Sequence, residues 1–128
     1  MDEILILLDK ADAAFDDASL LITHKRNEAA ANRLYYSVLY SMQAALLIRN
    51  EIPKTHKGIH IRFHLVFIKE GIFPEIISEH VQVLLNLRQG GDYDLEEVPD
   101  EAVQKAMTYA QEVLKIIRKY VEENTETE

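Results

Sequence analysis

Apolar side chains recur along this chain at alternating steps of four and three residues, the spacing that lines one face of an α-helix. Between residues 3 and 23 the positions Ile4, Leu8, Ala11, Phe15, Ala18 and Ile22 keep that step, while Asp2, Lys10, Asp16 and Asp17 fall on other faces. An amphipathic first helix is predicted there. The polar link Thr23 to Asn27 leads into Asn27 to Asn50, which is apolar or small on every face. A helix of that kind is buried, so this segment is predicted to be the centre of the fold. Tyr35, Leu39, Met42 and Leu46 form one of its stripes, and Leu34, Val38, Ala45 and Ile48 another. It stops before Pro53, because proline disfavours helix in the residue that precedes it.

A third helix is predicted from about Gly58 to Lys69, with Ile59, Phe63 and Val66 on one side and Gly71 as its end. Pro74 suits the first turn of a fourth helix. That helix carries Ile77, Val81, Leu84 and Leu87 to Arg88 and is predicted to break at Gly90-Gly91. Pro99-Asp100-Glu101 opens the last helix, placing acids at its positive dipole end. Val103, Ala106, Ala110, Val113, Ile117 and Tyr120 form its buried stripe, and fraying is predicted from Glu122 onward. Short links between long helices make neighbours antiparallel. The predicted fold class is therefore all-α, an up-and-down helical bundle of four main helices plus one short helix.

A length of 128 residues fits one domain, predicted over residues 1–123 with 124–128 as a disordered acidic tail. Such a chain buries about two thirds of its unfolded surface in a single core. The formal charge of -8 argues against indiscriminate nucleic-acid binding, which requires a basic surface. Its distribution matters more than the sum. Acids crowd Asp92 to Glu101 and Glu122 to Glu128, whereas Lys54 to His64 contains lysines, an arginine and histidines but no acid. One local positive patch is therefore expected on an acidic protein. Cysteine is absent, so there is neither a disulfide framework nor thiolate chemistry, which fits a reducing compartment. The opening residues MDEILILLDK lack a basic n-region, so a cytoplasmic protein with no membrane segment is expected.

Three groups of residues carry candidate chemistry. The first is Arg88-Gln89-Gly90-Gly91-Asp92-Tyr93-Asp94. Paired glycines would let the backbone take left-handed angles, folding Asp92 and Tyr93 back beside the guanidinium. Arginine offers a planar fork for phosphate, aspartate an acceptor or base, and tyrosine a donor and a stacking face. The competing reading is a helix cap in which Asp92 pairs with Arg88 and Tyr93 seals the core. The second group is His56, His60 and His64, interleaved with Lys54, Lys57 and Arg62. His60 and His64 share a helix face, but no acid or cysteine supplies a third ligand at helical spacing, so no metal is predicted. Lys54, His56 and Lys57 precede a helix amino terminus, where free N–H groups and the dipole attract anions. A merely solvated basic face is the alternative. The third group is the stripe Arg33, Tyr36, Tyr40 and Gln43 on the central helix. Burying such groups costs free energy unless they find partners, so the stripe either specifies the core or faces a cleft. No glycine loop of the Walker or dinucleotide type is present, and the serines have no base at recognisable spacing. No cofactor is predicted.

Arg33 with Tyr35-Tyr36, the turn Lys54-Thr55-His56-Lys57-Gly58, and Leu87-Arg88-Gln89-Gly90-Gly91-Asp92-Tyr93 before an acidic loop together resemble the HEPN superfamily, the higher eukaryotes and prokaryotes nucleotide-binding domains. The likeness is to its small stand-alone prokaryotic branch and covers nearly the whole chain. It implies a helical bundle that forms a homodimer, often encoded beside a minimal nucleotidyltransferase as the toxin of a toxin–antitoxin pair. Many members are metal-independent ribonucleases whose signature is an arginine and a histidine separated by four to six residues, paired across the dimer. Arg88 matches the arginine. The equivalent histidine positions hold Tyr93, Asp94 and Leu95, and no histidine follows His80, so Asp92 or Tyr93 would have to substitute. The resemblance also implies Tyr93 as the tyrosine that a partner nucleotidyltransferase adenylylates. The expected site is thus Arg88, Asp92 and Tyr93 for chemistry, with Arg33, Tyr36, Lys54, His56 and Lys57 holding a nucleotide or RNA phosphate. A non-catalytic protein-interaction module is the remaining alternative.

Overall fold

A computed structural model of the chain describes residues 2–93 and 97–125, with side chains over 3–90 and 97–125. Its elements are α1 (Asp2–Thr23), α2 (Asn27–Ile48), α3 (His56–Phe63), a π-helical segment (His64–Ile68), α4 (Glu75–Tyr93) and α5 (Asp100–Asn124). The central helix α2 packs against α1, α3, α4 and α5; α4 also packs on α5, and α1 touches α5. This is the predicted all-α bundle of four long helices and one short one.

The reason α2 sits at the centre is its composition. Ala30, Ala31, Leu34, Tyr35, Val38, Leu39, Met42, Ala44, Ala45 and Leu46 are all buried. In α1 the buried positions include Ala11, Ala14 and Ala18. Small residues on both helices let the backbones approach closely, and larger side chains fill the space towards α4 and α5. Each fully buried Leu, Ile or Phe contributes about 1.5–3 kcal/mol relative to exposure. Three links end on left-handed residues. Lys25 (φ 60°) and Asn50 (φ 60°) close α1 and α2, and Gly71 (φ 77°) follows the π-helical segment. At the first two ends the bonding is that of a Schellman cap: the Arg26 N–H donates to the Leu21 carbonyl at 2.9 Å and the Glu51 N–H to the Leu46 carbonyl at 2.9 Å.

The start of α5 is tied to the start of α2. The Asn27 side-chain amide donates to the Val98 carbonyl at 2.9 Å and to an Asp100 carboxylate oxygen at 2.8 Å, while Glu28 accepts from the Val98 N–H at 2.9 Å. Asn27 and then Lys25 hold the Asp100 carboxyl below the usual carboxylate range. The described part of the acidic loop is thus pinned to the α2 amino terminus.

Three expectations need correction. The third helix begins at His56, not Gly58, because Thr55 caps it: the Gly58 N–H donates to Thr55 Oγ1 at 2.9 Å. A Cβ at Gly58 would lie 3.0 Å from that hydroxyl, which is why glycine suits the position. Beyond Phe63 the helix widens to π geometry, the Lys69 N–H donating to the His64 carbonyl at 2.8 Å. More consequentially, α4 does not break after Arg88 but runs through Gly90 and Gly91 to Tyr93. Glycine inside a helix costs about 1 kcal/mol against alanine, and adding one hydrogen-bonded residue to an existing helix is cheap enough to absorb that. Position 92 therefore lies one helical turn beyond Arg88 instead of folding back across a left-handed break. Finally, α5 persists to Asn124, past the predicted fraying at Glu122, and Val121 is buried where Tyr120 is half-exposed. Residues 126–128 of the predicted tail lie outside the described residues.

Candidate functional site

The stripe Arg33, Tyr36, Tyr40 and Gln43 is half-buried along α2, between the fully buried faces and solvent. Helix α4 brings the Arg88 guanidinium over the Tyr35 ring at 5.2 Å and over the Tyr36 ring at 5.6 Å. The Arg33 guanidinium lies over the same Tyr36 ring at 5.6 Å. From α3, the His56 ring meets Tyr36 edge-on at 5.6 Å and Tyr35 at 6.2 Å. Two arginines, two tyrosines and an imidazole, drawn from three helices, therefore share one face. Cations over aromatic rings are held by the ring quadrupole, about 0.5–1 kcal/mol at exposed sites and more when desolvated. Arg33 Nε is buried and makes no hydrogen bond among the described residues.

Beneath this face lies a neutral pair. The buried Tyr35 hydroxyl meets His60 Nε2 at 2.9 Å, and the two rings stack at 5.9 Å. Burial raises the Tyr35 pKa, an effect that the Arg88 charge partly opposes and that Tyr36 reinforces. Burial lowers the His60 pKa, and the neighbouring His56 lowers it further. Both partners therefore stay uncharged near neutral pH. An unfolded chain binds the His60 proton more readily than the native one, so stability from this group is complete above the ordinary histidine range of about 6.5 and is lost as pH falls through the lowered native value. Urea denaturation between about pH 7 and pH 5 is accordingly expected to show falling stability in the wild type and a shallower fall in His60→Gln. Equal slopes in the two proteins would contradict this placement of His60.

The structure brings Arg33, His56 and Arg88 together around the Tyr36 ring. Lys54 and Lys57 are exposed, flanking His56 along the chain. The side chains of Asp92 and Tyr93, the other two residues expected to carry chemistry, lie outside the described residues, as do Asp94 and Leu95. The basic patch is smaller than its composition suggested, because Arg62 forks onto the Glu51 carboxylate with two contacts of 2.8 Å. That hydrogen bonding, above all, holds the Glu51 pKa down. His60 and His64 do not act as a pair: His60 Nε2 is engaged by Tyr35, and His64 is exposed beside a small cavity that also borders Met42 and Ser78. Among the described residues no three histidine, aspartate or glutamate side chains gather as a metal site. At the head of α5, Asp100 is held by Asn27 and Lys25. Two members of the cluster stand outside the expected site: Tyr35, read as core, and His60, weighed only within the His56, His60 and His64 group. The signal for His60 is its place one turn after His56; Tyr35 reads as core, and a buried ring gives no hint that a guanidinium and two imidazoles rest around it.

A family model described as the HEPN domain matches residues 4–120. The chain is 30% identical over 122 residues to a protein of Methanocaldococcus jannaschii named "Putative toxin MJ0605", a match covering 95% of this chain and 91% of that one. It is 30% identical over 115 residues to a Thermotoga maritima protein named "UPF0332 protein", covering 89% and 87%. A second Methanocaldococcus jannaschii protein, named "Putative toxin MJ0142", is 32% identical over 92 residues, or 72% of this chain and 63% of that one. No described helix is long and apolar enough to cross a membrane. By the extent of the family match, and with the helical bundle that carries it, the chain belongs to the HEPN domain family.

Proposed function

We propose that the Arg33–Arg88 face binds the phosphate of a nucleotide or of single-stranded RNA, in a toxin-type protein that works as a homodimer with a minimal nucleotidyltransferase as its partner. The observation that carries this reading is the convergence of two guanidiniums on the Tyr36 ring, Arg88 reaching the Tyr35 ring as well. Guanidinium forks suit phosphate, and exposed parts of aromatic rings offer stacking to a base. The half-buried side chains of Tyr36 and Arg33 are what such a ligand would meet. Two relatives with toxin names support the biological setting. Lys54 and Lys57, two residues before and one residue after His56, add positive potential around the phosphate.

A titration of fluorescently labelled single-stranded RNA tests the binding half. Saturable binding that weakens as salt rises is the expected result, and no binding at low salt would remove the reading. Mass spectrometry tests the partner half. Co-expression with a neighbouring nucleotidyltransferase is expected to add one or more AMP groups at Tyr93, and an unchanged mass would argue against that partner. A second reading, metal-independent ribonuclease, is favoured by one observation: although no histidine follows Arg88 at the signature spacing, α3 delivers His56 to the two rings on which Arg88 rests.

A further inference from the structure

We propose that a cavity at the far end of the α2 stripe seats an adenine base of the single strand whose phosphate is held by Arg33 and Arg88; the proposal rests on the phosphate-binding reading above. The cavity measures about 280 Å³ and lies where the first turns of α1, the last turns of α2 and the link to α3 meet. Ile6, Leu47, Ile52 and Pro53 give it apolar walls, and Gln43, Glu3 and Glu51 give it polar groups. Pockets that bury drug-sized ligands measure about 300–1,000 Å³, so this one suits a smaller flat group. Ile52 is 67% exposed and Ile6 53%, so the mouth offers apolar surface that the fold itself does not cover.

Continuity with the arginines selects the occupant. The Tyr36 ring carries both guanidiniums, the half-buried Tyr40 ring follows it at 6.0 Å, and Gln43 on the same stripe lines the cavity. From α1, Lys10 lies over the Tyr40 ring at 5.7 Å. On the other side the link to α3 runs back along α2, since Ile52 and Pro53 border the cavity while the His56 ring meets Tyr36 at 5.6 Å. One groove with a tyrosine floor therefore joins the arginines to the cavity. Tyr36 and Gln43 lie roughly 10 Å apart along the helix axis, beyond the reach from phosphate to base within one nucleotide, so the seated base belongs to a neighbouring nucleotide. Tyr36 and Tyr40 offer rings for stacking on the way, and Lys10 and Lys54 offer charge to the backbone. The choice of base follows from Gln43, whose amide makes no hydrogen bond among the described residues. Glutamine meets adenine at both N6 and N7, and the Glu3 carboxylate is an acceptor for the second N6 hydrogen. Guanine is read at O6 and N7 by a guanidinium fork, and Arg62, the guanidinium that reaches this rim, is held on both Glu51 oxygens at 2.8 Å. Uracil has no amine to offer these acceptors.

The test measures fluorescence anisotropy of labelled 2′-O-methyl strands of adenosine and of uridine with the full chain; the methyl group prevents strand cleavage through the 2′-oxygen. Wild type is expected to bind the adenosine strand roughly 5- to 150-fold more tightly than the uridine strand, the factor that one well-seated base supplies. Inosine, which carries a carbonyl where adenosine carries the N6 amine, is expected to lose most of that preference. Gln43→Leu is expected to bring the two affinities together, and so is Ile52→Ser, a change at an exposed link position that spares the core. Arg88→Ala is expected to weaken both strands alike. Equal affinities in wild type, inosine bound as tightly as adenosine, or a preference untouched by both cavity variants overturns this proposal and leaves the phosphate reading standing. No binding of either strand overturns both. Sedimentation of the free protein adds one more outcome: self-association that Ile52→Ser abolishes would assign the cavity to a second copy of the chain and overturn the proposal.

Discussion

Replacing Arg88 with alanine is expected to weaken binding of single-stranded RNA by roughly 10- to 150-fold, the factor that corresponds to losing a charge-assisted hydrogen bond of about 1.5–3 kcal/mol. The guanidinium lies over the rings of Tyr35 and Tyr36, so its removal also takes away packing within the site. That part costs about 0.5–2 kcal/mol of folding stability, which a domain of this size tolerates. Arg88→Lys keeps a charge and loses the planar fork, and is expected to fall between alanine and wild type. If Arg88 meets one phosphate, the slope of log binding constant against log salt should flatten by about 0.7 in the alanine variant. Unchanged affinity and slope would mean that Arg88 is a helix-to-core contact and nothing more.

The largest effect on stability is expected elsewhere. Phe67 is fully buried in the π-helical segment, 4.9 Å from Phe73, 5.3 Å from Phe63 and 5.2 Å from Tyr120, ring centre to ring centre. The widened turn seats it there: its carbonyl accepts from the Phe73 N–H at 3.0 Å, so the ring and the link that follows are held as one unit. Phe67→Ala opens a cavity among the three remaining aromatic rings and should cost about 3–5 kcal/mol in urea denaturation. RNA affinity of the protein that remains folded should stay near wild type, because none of these rings touches Arg33, Tyr36 or His56. The pair of variants thus separates site from scaffold: Arg88→Ala moves binding far more than stability, and Phe67→Ala does the reverse. A loss below about 1 kcal/mol for Phe67→Ala would show that the aromatic cluster repacks.

What was legible beforehand followed from helical period and from chain-breaking residues. The burial of α2 could be read from apolar positions on every face, and the boundaries at Thr23 and Glu75 from the polar link and from Pro74. The half-buried stripe of Arg33, Tyr36 and Tyr40 also announced itself, since a charge and two hydroxyls in a central helix must meet a cleft or a partner. The extension of α4 through Gly90 and Gly91 was not legible, because glycine weakens a helix by only about 1 kcal/mol per residue against alanine and does not by itself end it. Nor was the π-helical widening at His64–Ile68, which arises where Phe67 and Ile68 must both reach the core. The contact of His56 with Tyr36 joins residues twenty positions apart, so only the packing of α3 on α2 could reveal it. Composition misled in one place: the run without acids from Lys54 to His64 looked like an undivided basic patch, yet Glu51 reaches Arg62 from outside the run.

The central claim is that Arg33 and Arg88 form one anion site with Tyr36 and His56 beside it. Nuclear magnetic resonance of the labelled protein, titrated with a short 2′-O-methyl RNA, reads this directly through the arginine Nε–H signals and the tyrosine and histidine ring signals. The Arg33 and Arg88 signals are predicted to shift together along a single binding curve, accompanied by the rings of Tyr36 and His56. Shifts confined to other surfaces, with both Nε–H signals unmoved at saturating RNA, would contradict the account.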